Sequence, residues 1–327
     1  MKKHWIIIIL VFGSISFLKA QDPHFSQYFN TPLITNPALA GQFAGKLRVG
    51  ATYRSQWSQI PNSYETFALG VDGRIGSRWG LSGHVVSQSA GEVGYNRVDA
   101  MGGASFDILG ENDHGHHLVG GAQIGLMSHR VNTEGATFGS QYIPGIGFDP
   151  GASTGELLDN NSKTVLNMHL GALWFMGKPG QKFAPFAGVA VLNYLEPDAT
   201  LTSNEDKLPL KIYGHYGVRI QFGERLSLTP HGQILYQGPA NSNIVGLNAN
   251  LAFNNEFGLA AGLSHRINES IIPYIGFDWK SFTVGASYDL AVGELNNAQN
   301  SKRSFELSII YILPGSEVDA KPVCPRL

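Results

Sequence analysis

The sequence predicts an all-β protein: a transmembrane outer-membrane β-barrel of about fourteen antiparallel strands, with both termini in the periplasm. Three observations carry this prediction. Apolar and polar residues alternate with a period of two in segment after segment. The links between these segments are mostly short on one side and mostly long on the other. The chain also opens with the features of a secretion signal.

Residues 1–20 have the composition of a cleaved signal peptide. Lys2 and Lys3 form a basic start, residues 5–18 are mainly apolar, and Ala20 is the expected cleavage residue. The alternative is a membrane anchor that is retained, but the apolar stretch is short for a spanning helix. We therefore exclude residues 1–20 from the fold and expect export to the outer membrane.

The charge and cysteine content exclude several classes of function. Loss of Lys2, Lys3 and Lys19 with the signal takes the formal charge from −2 to −5, because three positive charges leave. A mildly acidic protein is a poor nucleic-acid binder. Cys324 is the single cysteine, so an intramolecular disulfide and a cysteine zinc cluster are both excluded.

Residues 21–45 form a leader that is not strand-like. Pro23, Pro32 and Pro37 interrupt it, and Asn36-Pro37 is a turn-favouring pair. We expect an ordered segment with one helical turn near residues 37–40. The predicted organisation is thus a signal at 1–20, a periplasmic leader or plug at 21–45, a barrel at 46–313 and a periplasmic tail at 314–327.

Residues 281–290 illustrate the strand pattern. Phe282, Val284 and Ala286, at even-numbered positions, are apolar, whereas Thr283 and Asp289, at odd-numbered positions, are polar. The predicted strands are near the roughly 9–11 residues that a tilted membrane strand needs. They cover residues 47–57, 65–75, 79–87, 97–109, 117–129, 165–176, 183–193, 211–222, 226–236, 244–253, 257–267, 272–279, 281–290 and 303–313.

The links separate by length. Short ones are expected at 76–78, 110–116, 177–182, 223–225, 254–256 and 280, and longer ones at 58–64, 88–96, 130–164, 194–210, 237–243 and 291–302. The link at 268–271 is an exception, because it is short but lies at the end of the barrel where the other links are long. Outer-membrane barrels have short periplasmic turns and long external loops. An even strand number then places both termini in the periplasm.

Six charged or titratable side chains are predicted to face the lumen, because facing lipid at mid-depth would cost a few kcal/mol for each charge. They are Asp72, Arg74, Asp107, Arg219, His231 and Asp289. A barrel of this size is too wide to be filled by its own side chains. Water, folded loops, the leader or a partner must therefore occupy it.

No catalytic constellation is convincing: the sequence has no H-E-x-x-H pair and no P-loop. We predict no enzymatic activity and no cofactor or metal. His114, His116 and His117 could bind a metal, but a solvated turn is the favoured interpretation. In the long loop, Tyr142 and Phe148 are candidate partner contacts, with self-packing of the loop as an equal alternative.

The leader carries a resemblance to a known family. Gln21-Asp22-Pro23, Phe25-Ser26-Gln27-Tyr28 and Asn36-Pro37-Ala38, followed by Ala40-Gly41, resemble the start of the PorP/SprF outer-membrane proteins of the Bacteroidetes type IX secretion system. The string Tyr53-Arg54-Ser55-Gln56-Trp57 is similar to the family's first strand. One departure is the tail at 314–327, since many outer-membrane proteins end on an aromatic residue of the last strand.

The resemblance implies a non-enzymatic barrel that assists the secretion and surface attachment of large proteins. SprF-like members serve export of a gliding-motility adhesin, and PorP-like members bind periplasmic components. We therefore expect outer-membrane lipids, a secreted surface adhesin or other client, and secretion components as partners. Candidate partner contacts in the leader are Asp22, Pro23, Phe25, Gln27, Tyr28, Asn36 and Pro37. The rival interpretations are a porin or solute channel and a barrel enzyme.

Overall fold

The computed structural model describes residues 24–57, 63–91, 94–110, 112, 114–132, 137–153, 160–178, 180–202, 207–254, 256–292 and 303–315. The signal, Asp22, Pro23 and Cys324 lie outside the described residues. Sixteen strands lie within these residues: β1 Leu47–Gln56, β2 Tyr64–Ile75, β3 Trp79–Ala90, β4 Tyr95–Asp107, β5 His116–Arg130, β6 Tyr142–Ile143, β7 Gly147–Phe148, β8 Ser162–Met176, β9 Phe183–Leu192, β10 Lys211–Phe222, β11 Leu226–Gln237, β12 Ala240–Ala252, β13 Phe257–Arg266, β14 Ser270–Trp279, β15 Phe282–Ala291 and β16 Ser304–Leu313.

Fourteen of these strands form one closed antiparallel barrel, which confirms the predicted fold class. The first and last strands close it, with Leu47 opposite Leu313 and Gln56 opposite Ser304. The other two strands, β6 and β7, make a separate hairpin inside the link between β5 and β8. Closure removes the sheet edges whose backbone groups lipid could not satisfy.

The alternation of the sequence becomes a division between the two faces of the wall. On β2, the apolar Phe67, Leu69 and Val71 are exposed on the outer face, whereas Thr66 and Asp72 are buried on the inner face. The same outward band of large apolar side chains continues around the barrel. Such a band is the surface that a lipid bilayer covers.

We name the two ends of the barrel by their links. The short-turn end carries the links at 76–78, 177–182 and 223–225, and the long-loop end carries those at 131–161 and 193–210. The expected segregation of link length is only partly right. The links expected at 88–96 and 237–243 shorten to 91–94 and 238–239, because β3, β4 and β12 run further than predicted. Gly238 has a φ of 57°, a value that suits glycine in a two-residue turn.

None of the described helices has the length and apolar composition to cross a bilayer. The helices are single turns, and three of them lie in the leader, at Tyr28–Asn30, Pro32–Thr35 and Pro37–Leu39. The expected helical turn near residues 37–40 is therefore one of three. Their packing inside the barrel defines the candidate site.

Candidate functional site: the leader within the barrel lumen

The described part of the leader, residues 24–45, runs lengthwise through the lumen. Ser26 contacts Arg54 and Asp289, which lie at the long-loop ends of β1 and β15. Gly41 contacts Asp72, which lies near the short-turn end of β2. The leader thus makes contacts close to both ends of the barrel before β1 begins at Leu47.

Helical turns keep the leader compact. Pro32 and Pro37 each begin a turn, where the absence of an N–H costs nothing and the fixed φ is already helical. The Asn36 side chain accepts a hydrogen bond from Ala38 N at 2.9 Å and caps the last turn. The prolines that exclude a strand in the sequence therefore start the turns that shape the plug.

At the long-loop end, Glu306 of β16 holds the leader backbone. Its Oε2 accepts a hydrogen bond from Ser26 N at 2.8 Å, and its Oε1 accepts one from Gln27 N at 2.9 Å. Both amide groups lie in a stretch without regular structure and would otherwise be buried unpaired. One carboxylate thus replaces the backbone partners that a strand or helix would supply.

The Ser26 hydroxyl is fully satisfied by charged groups. It donates to Asp289 at 2.8 Å and accepts from Arg54 Nη1 and Arg266 Nη2, each at 2.7 Å. A hydroxyl has one donor and two acceptor positions, so its capacity is used in full. This arrangement requires the small hydroxyl side chain at position 26.

The charges around Ser26 balance one another. Arg54 lies 2.8 Å from Asp289 and 3.0 Å from Glu306, and Arg266 lies 3.5 Å from Asp289. All four side chains are at most 4 % exposed. Two cations and two anions so deeply buried stabilise the fold only when every partner is present. We call Arg54, Arg266, Asp289 and Glu306 the charged clamp.

Gln27 adds a second fully paired group. Its Nε2 donates to Ser287 Oγ at 3.1 Å and to the Glu306 carbonyl at 2.9 Å, while its Oε1 accepts from Ser308 Oγ at 2.7 Å and Asn30 Nδ2 at 2.9 Å. These partners lie on β15, β16 and the leader itself. The amide therefore links the plug to two strands of the wall.

Tyr28 fills an apolar pocket in the lumen. Inward-facing residues of the wall surround its ring: Ala190, Leu192, Tyr213, Leu235, Ile244 and Ile272. Its hydroxyl lies 2.6 Å from His231 Nδ1. The adjacent Phe29 packs edge-on against Tyr274, with ring centroids 5.1 Å apart. A water-filled channel has a polar lining, whereas this part of the wall is lined for an aromatic side chain.

A second and a third apolar cluster complete the core. Ala38 and Leu39 pack against Val119, Leu173, Phe175 and Phe186 of the wall. Phe25 and Ile34 pack against Ala68 and Val86. In each cluster, apolar leader residues cover apolar residues on the inner face of the strands. The leader and the inner wall thus share one hydrophobic core.

Glycines let the leader backbone touch the wall. A Cβ on Gly121 would lie 2.4 Å from Ala38 N, and a Cβ on Gly171 would lie 2.0 Å from Asn36 Oδ1. Asn36 Nδ2 accordingly reaches the Ala172 carbonyl at 3.0 Å and His215 Nε2 at 3.2 Å. The glycine-rich composition of these strands provides the close approach that the plug needs.

At the short-turn end, Asp72 and Arg74 hold the end of the leader. Asp72 Oδ2 accepts from Gly41 N at 2.7 Å, and Arg74 Nη2 donates to the Gly41 carbonyl at 2.9 Å. Arg48 pairs with both carboxylate oxygens of Asp72, at 2.7 and 2.8 Å. Gly41 has a φ of 70°, so glycine suits this turn. Ser105 Oγ also donates to the Ala40 carbonyl at 2.7 Å.

One small space lies between the leader and the wall of the barrel. It is bordered by the helical turns of the leader and by β1–β3, with Asn30, Thr52 and His84 among the lining residues. The centres of water molecules can occupy about 30 Å³ of it. One water needs roughly 10–15 Å³ of such space. About two waters therefore fit in this space.

The side chains predicted to face the lumen fall into two groups. Asp72, Arg74, His231 and Asp289 contact the leader directly. Asp107 instead pairs with His117 Nδ1 of the neighbouring strand at 2.6 Å, and Arg219 on β10 is half-buried. His117 also stacks on Phe175, and His116 stacks on Trp174. Over the part of the chain that the structure describes, no group of three metal-ligating side chains forms.

The candidate partner contacts are also divided. Phe25, Gln27, Tyr28, Asn36 and Pro37 are buried in the lumen, so their observed contacts are with the wall. Tyr142 and Phe148 face solvent on the β6–β7 hairpin, 64 % and 50 % exposed. Buried Gln141 supports that hairpin: its Nε2 donates to the Ala152 carbonyl at 3.2 Å and its Oε1 accepts from Phe138 N at 3.0 Å.

Three of the clamp residues escaped prediction. Arg54, Arg266 and Glu306 hold Ser26, yet none was predicted to face the lumen or to contact the leader, and Arg54 was noted only within the family-like string of the first strand. Glu306 carried a signal, because it is an acidic residue within the otherwise apolar and hydroxyl-bearing strand 304–313. An isolated charge on a barrel strand requires a partner in the lumen.

The closed strand order, the outward apolar band and the filled lumen define the class of protein: an outer-membrane β-barrel with an internal plug. The chain belongs to the PorP/SprF family of type IX secretion system membrane proteins, whose family model matches residues 17–311. This match confirms the family predicted from the leader motifs. No curated protein sequence matches the chain.

Solved outer-membrane barrels share the fold. The CymD monoaromatic hydrocarbon channel matches with a TM-score of 0.51 at 12% identity, covering 88% of this chain and 93% of CymD. The P. putida toluene transporter TodX matches with a TM-score of 0.50 at 12% identity, covering 88% of this chain and 95% of TodX. At this identity, the likeness is one of fold alone.

Proposed function

We propose that this chain is a non-enzymatic barrel of the type IX secretion system that acts through its surfaces rather than through a pore. Its role is the secretion or surface anchoring of a large client, such as a gliding adhesin. The observation that carries the proposal is the leader, which fills the lumen with paired charges and apolar contacts. A plug held by hydrogen bonds at both ends and by three apolar clusters suits a structural barrel.

The long-loop end is the proposed cell-surface side, and the short-turn end the periplasmic side. On this orientation, the β6–β7 hairpin faces the client. Tyr142, Ile146 and Phe148 are 64 %, 78 % and 50 % exposed, on a hairpin that Gln141 supports from within. Exposed aromatic and apolar residues on a supported hairpin are typical of a protein contact site.

The periplasmic side is the proposed contact for secretion components. The short turns and the tail at 314–327 would lie there, after cleavage of the signal at 1–20. Outer-membrane lipids would cover the apolar band, which includes Phe67, Leu69 and Val71. Asp22 and Pro23 remain candidate contacts of the leader.

The rival function is a solute channel, because the two similar structures are named as a channel and a transporter. A channel needs a path past the leader, and the space between the leader and β1–β3 holds about two waters. The filled lumen therefore favours the secretion role. A channel would require the leader to leave its three apolar clusters.

Surface display of clients tests the proposal. In a strain that lacks this chain, the clients are the secreted proteins that disappear from the cell surface. We expect the wild-type chain to restore their display. The Tyr142→Ala/Phe148→Ala variant and a deletion of residues 137–153 should insert normally and yet fail to restore it.

The matched control removes an equally exposed aromatic ring from the opposite end of the barrel. Phe253 is 49 % exposed in the link at 253–256, so Phe253→Ala should leave client display unchanged. Normal display by both hairpin variants would refute the assigned role of the hairpin. If no secreted protein depends on the chain at all, the secretion role itself is wrong.

A further inference from the structure

The barrel wall has a step between β8 and β9. These strands pair only from Leu170 opposite Val191 to Phe175 opposite Phe186. On its other side, β8 pairs with β5 along its whole length, from His116–Met176 to Arg130–Ser162. Residues 162–167 of β8 therefore extend beyond the last pairing with the neighbouring strand by about 20 Å, given a rise near 3.4 Å per residue.

The chain leaves β8 sharply at this step. After β9 ends at Leu192, Asn193 takes a φ of 58° and turns the backbone aside. One further backbone hydrogen bond, from Tyr194 N to the Met168 carbonyl at 2.8 Å, marks the last pairing. Asn167 Nδ2 then donates to Asn193 Oδ1 at 2.8 Å, so a hydrogen bond between side chains follows the last backbone hydrogen bond.

The strand geometry shows which backbone groups of β8 are left without a hydrogen-bonding partner. Val131 N donates to the Asn161 carbonyl, so the odd-numbered residues of β8 bond to β5. The even-numbered residues point their N–H and C=O groups the other way, as the Met168 carbonyl does. Among the described residues, the backbone groups of Thr164 and Leu166 have no hydrogen-bonding partner on that side.

This open edge lies where the outer surface changes character. Leu166 is 52% exposed and apolar, like its opposite neighbour Leu126, whereas Thr164 and Ser162 beyond it are exposed and polar. Lipid cannot satisfy an open sheet edge, and an edge at the polar boundary can be reached from water. Among the described residues, Lys163 pairs with Asp198 of the following loop, and with exposures of 33% and 27% this ion pair is weak.

We propose that the edge formed by residues 162–167 of β8 binds an extended segment of a secreted client by strand addition. This inference rests on the proposed function and names the place of contact. A sheet edge recognises any extended backbone through main-chain hydrogen bonds, and alternate side chains adjust the fit. Leu166, Tyr194 and Leu195 offer exposed apolar surface beside the edge for such side chains.

A second copy of this chain fits the edge less well. Two barrels in one bilayer share the same upward direction, so a two-fold axis along the membrane normal sets their β8 strands parallel. Antiparallel pairing is the more stable arrangement, and a free client segment can adopt it. The occupant with the better geometry is therefore a flexible secreted chain.

A pair of substitutions at one position tests the edge. Leu166→Pro removes the N–H that faces the open edge and leaves the odd-numbered ladder to β5 intact. Leu166→Ala removes nearly the same side chain and keeps the N–H. With a photocrosslinker at Ser162, we expect wild type and Leu166→Ala to crosslink to an extended client segment and Leu166→Pro to crosslink about tenfold less. The clients probed are the secreted proteins absent from the surface of a strain lacking this chain.

Each outcome has a definite meaning. Crosslinks confined to residues 193–210 of the same chain, or to a second copy, would overturn the proposal, as would equal client crosslinking by Leu166→Pro and Leu166→Ala. Thr164→Pro removes a second edge donor and replaces Leu166→Pro if that variant does not insert. Client display that is lost in the hairpin variants but normal in both proline variants would reject the edge and keep the proposed function.

Discussion

The backbone N–H of Ser26 donates a hydrogen bond to Oε2 of Glu306 at 2.8 Å, across 280 positions of the sequence. This bond joins the leader to the last strand, β16, which in turn closes the barrel on β1. One carboxylate therefore links the leader to a strand of the closing seam. We expect closing of the barrel and filling of its lumen to be coupled.

Loss of the Glu306 charge should weaken the attachment of the leader and lower the stability of the closed barrel. Glu306→Gln offers one acceptor where two backbone N–H groups need one each, and it leaves Arg54 with Asp289 alone. Breaking a buried ion pair costs about 3–5 kcal/mol. We expect a clear fall in the temperature at which the folded barrel changes its gel mobility. Glu65→Gln is the control, since Glu65 bonds Tyr53 on the exposed surface, and an equal fall there would contradict the clamp.

Close contact between leader and wall predicts a severe effect of one methyl group. A Cβ on Gly121 would lie 2.4 Å from Ala38 N and 2.5 Å from Pro37 C, so Gly121→Ala should push the leader away. Overpacking of this kind costs about 1–3 kcal/mol. The readout is faster thiol labelling of a Thr35→Cys reporter, which is buried in the wild type. Gly214→Ala, whose Cβ would lie 3.7 Å from Ile234, should not change the labelling rate.

The Tyr28 hydroxyl and His231 predict a coupled pair. Tyr28→Phe keeps the ring in its pocket but removes the 2.6 Å hydrogen bond to His231 Nδ1, at a cost of about 1–3 kcal/mol. Tyr28→Ala should cost more, about 3–5 kcal/mol, because the apolar cluster loses its centre. Tyr28→Phe/His231→Phe should recover much of the first loss. Additive losses in unfolding free energy would contradict the coupling.

The sequence predicted the wall of the barrel better than its contents. Alternation places Phe67, Leu69 and Val71 outward because lipid imposes one rule on every strand. The inner face follows no such rule, since each lumen residue matches one part of the leader. Leu235 and Ile244, for example, face inward as apolar residues in the cluster that contains Tyr28. The predicted lengths of the links at 238–239 and 91–94 were wrong for a similar reason. Pairing between β11 and β12 and between β3 and β4, rather than local sequence, extends these strands.

The family motifs identified some of the lumen residues that the alternation pattern could not predict. The leader string that carried the resemblance includes Ser26, Gln27, Tyr28 and Asn36, the residues that bond to the wall in the structure. The strand residues that receive them, such as Arg54, Arg266 and Glu306, are spread over more than 250 positions. Their meeting depends on barrel closure, so no local pattern could group them.

Ion conductance in planar bilayers tests the central claim most directly, because that claim is a lumen closed by the leader. We predict that the intact mature protein shows no steady conductance. A variant without residues 24–44, inserted to the same level, should open a measurable ohmic pore. Steady conductance of the intact protein, equal to that of the variant, would contradict a closed lumen and favour the solute-channel function.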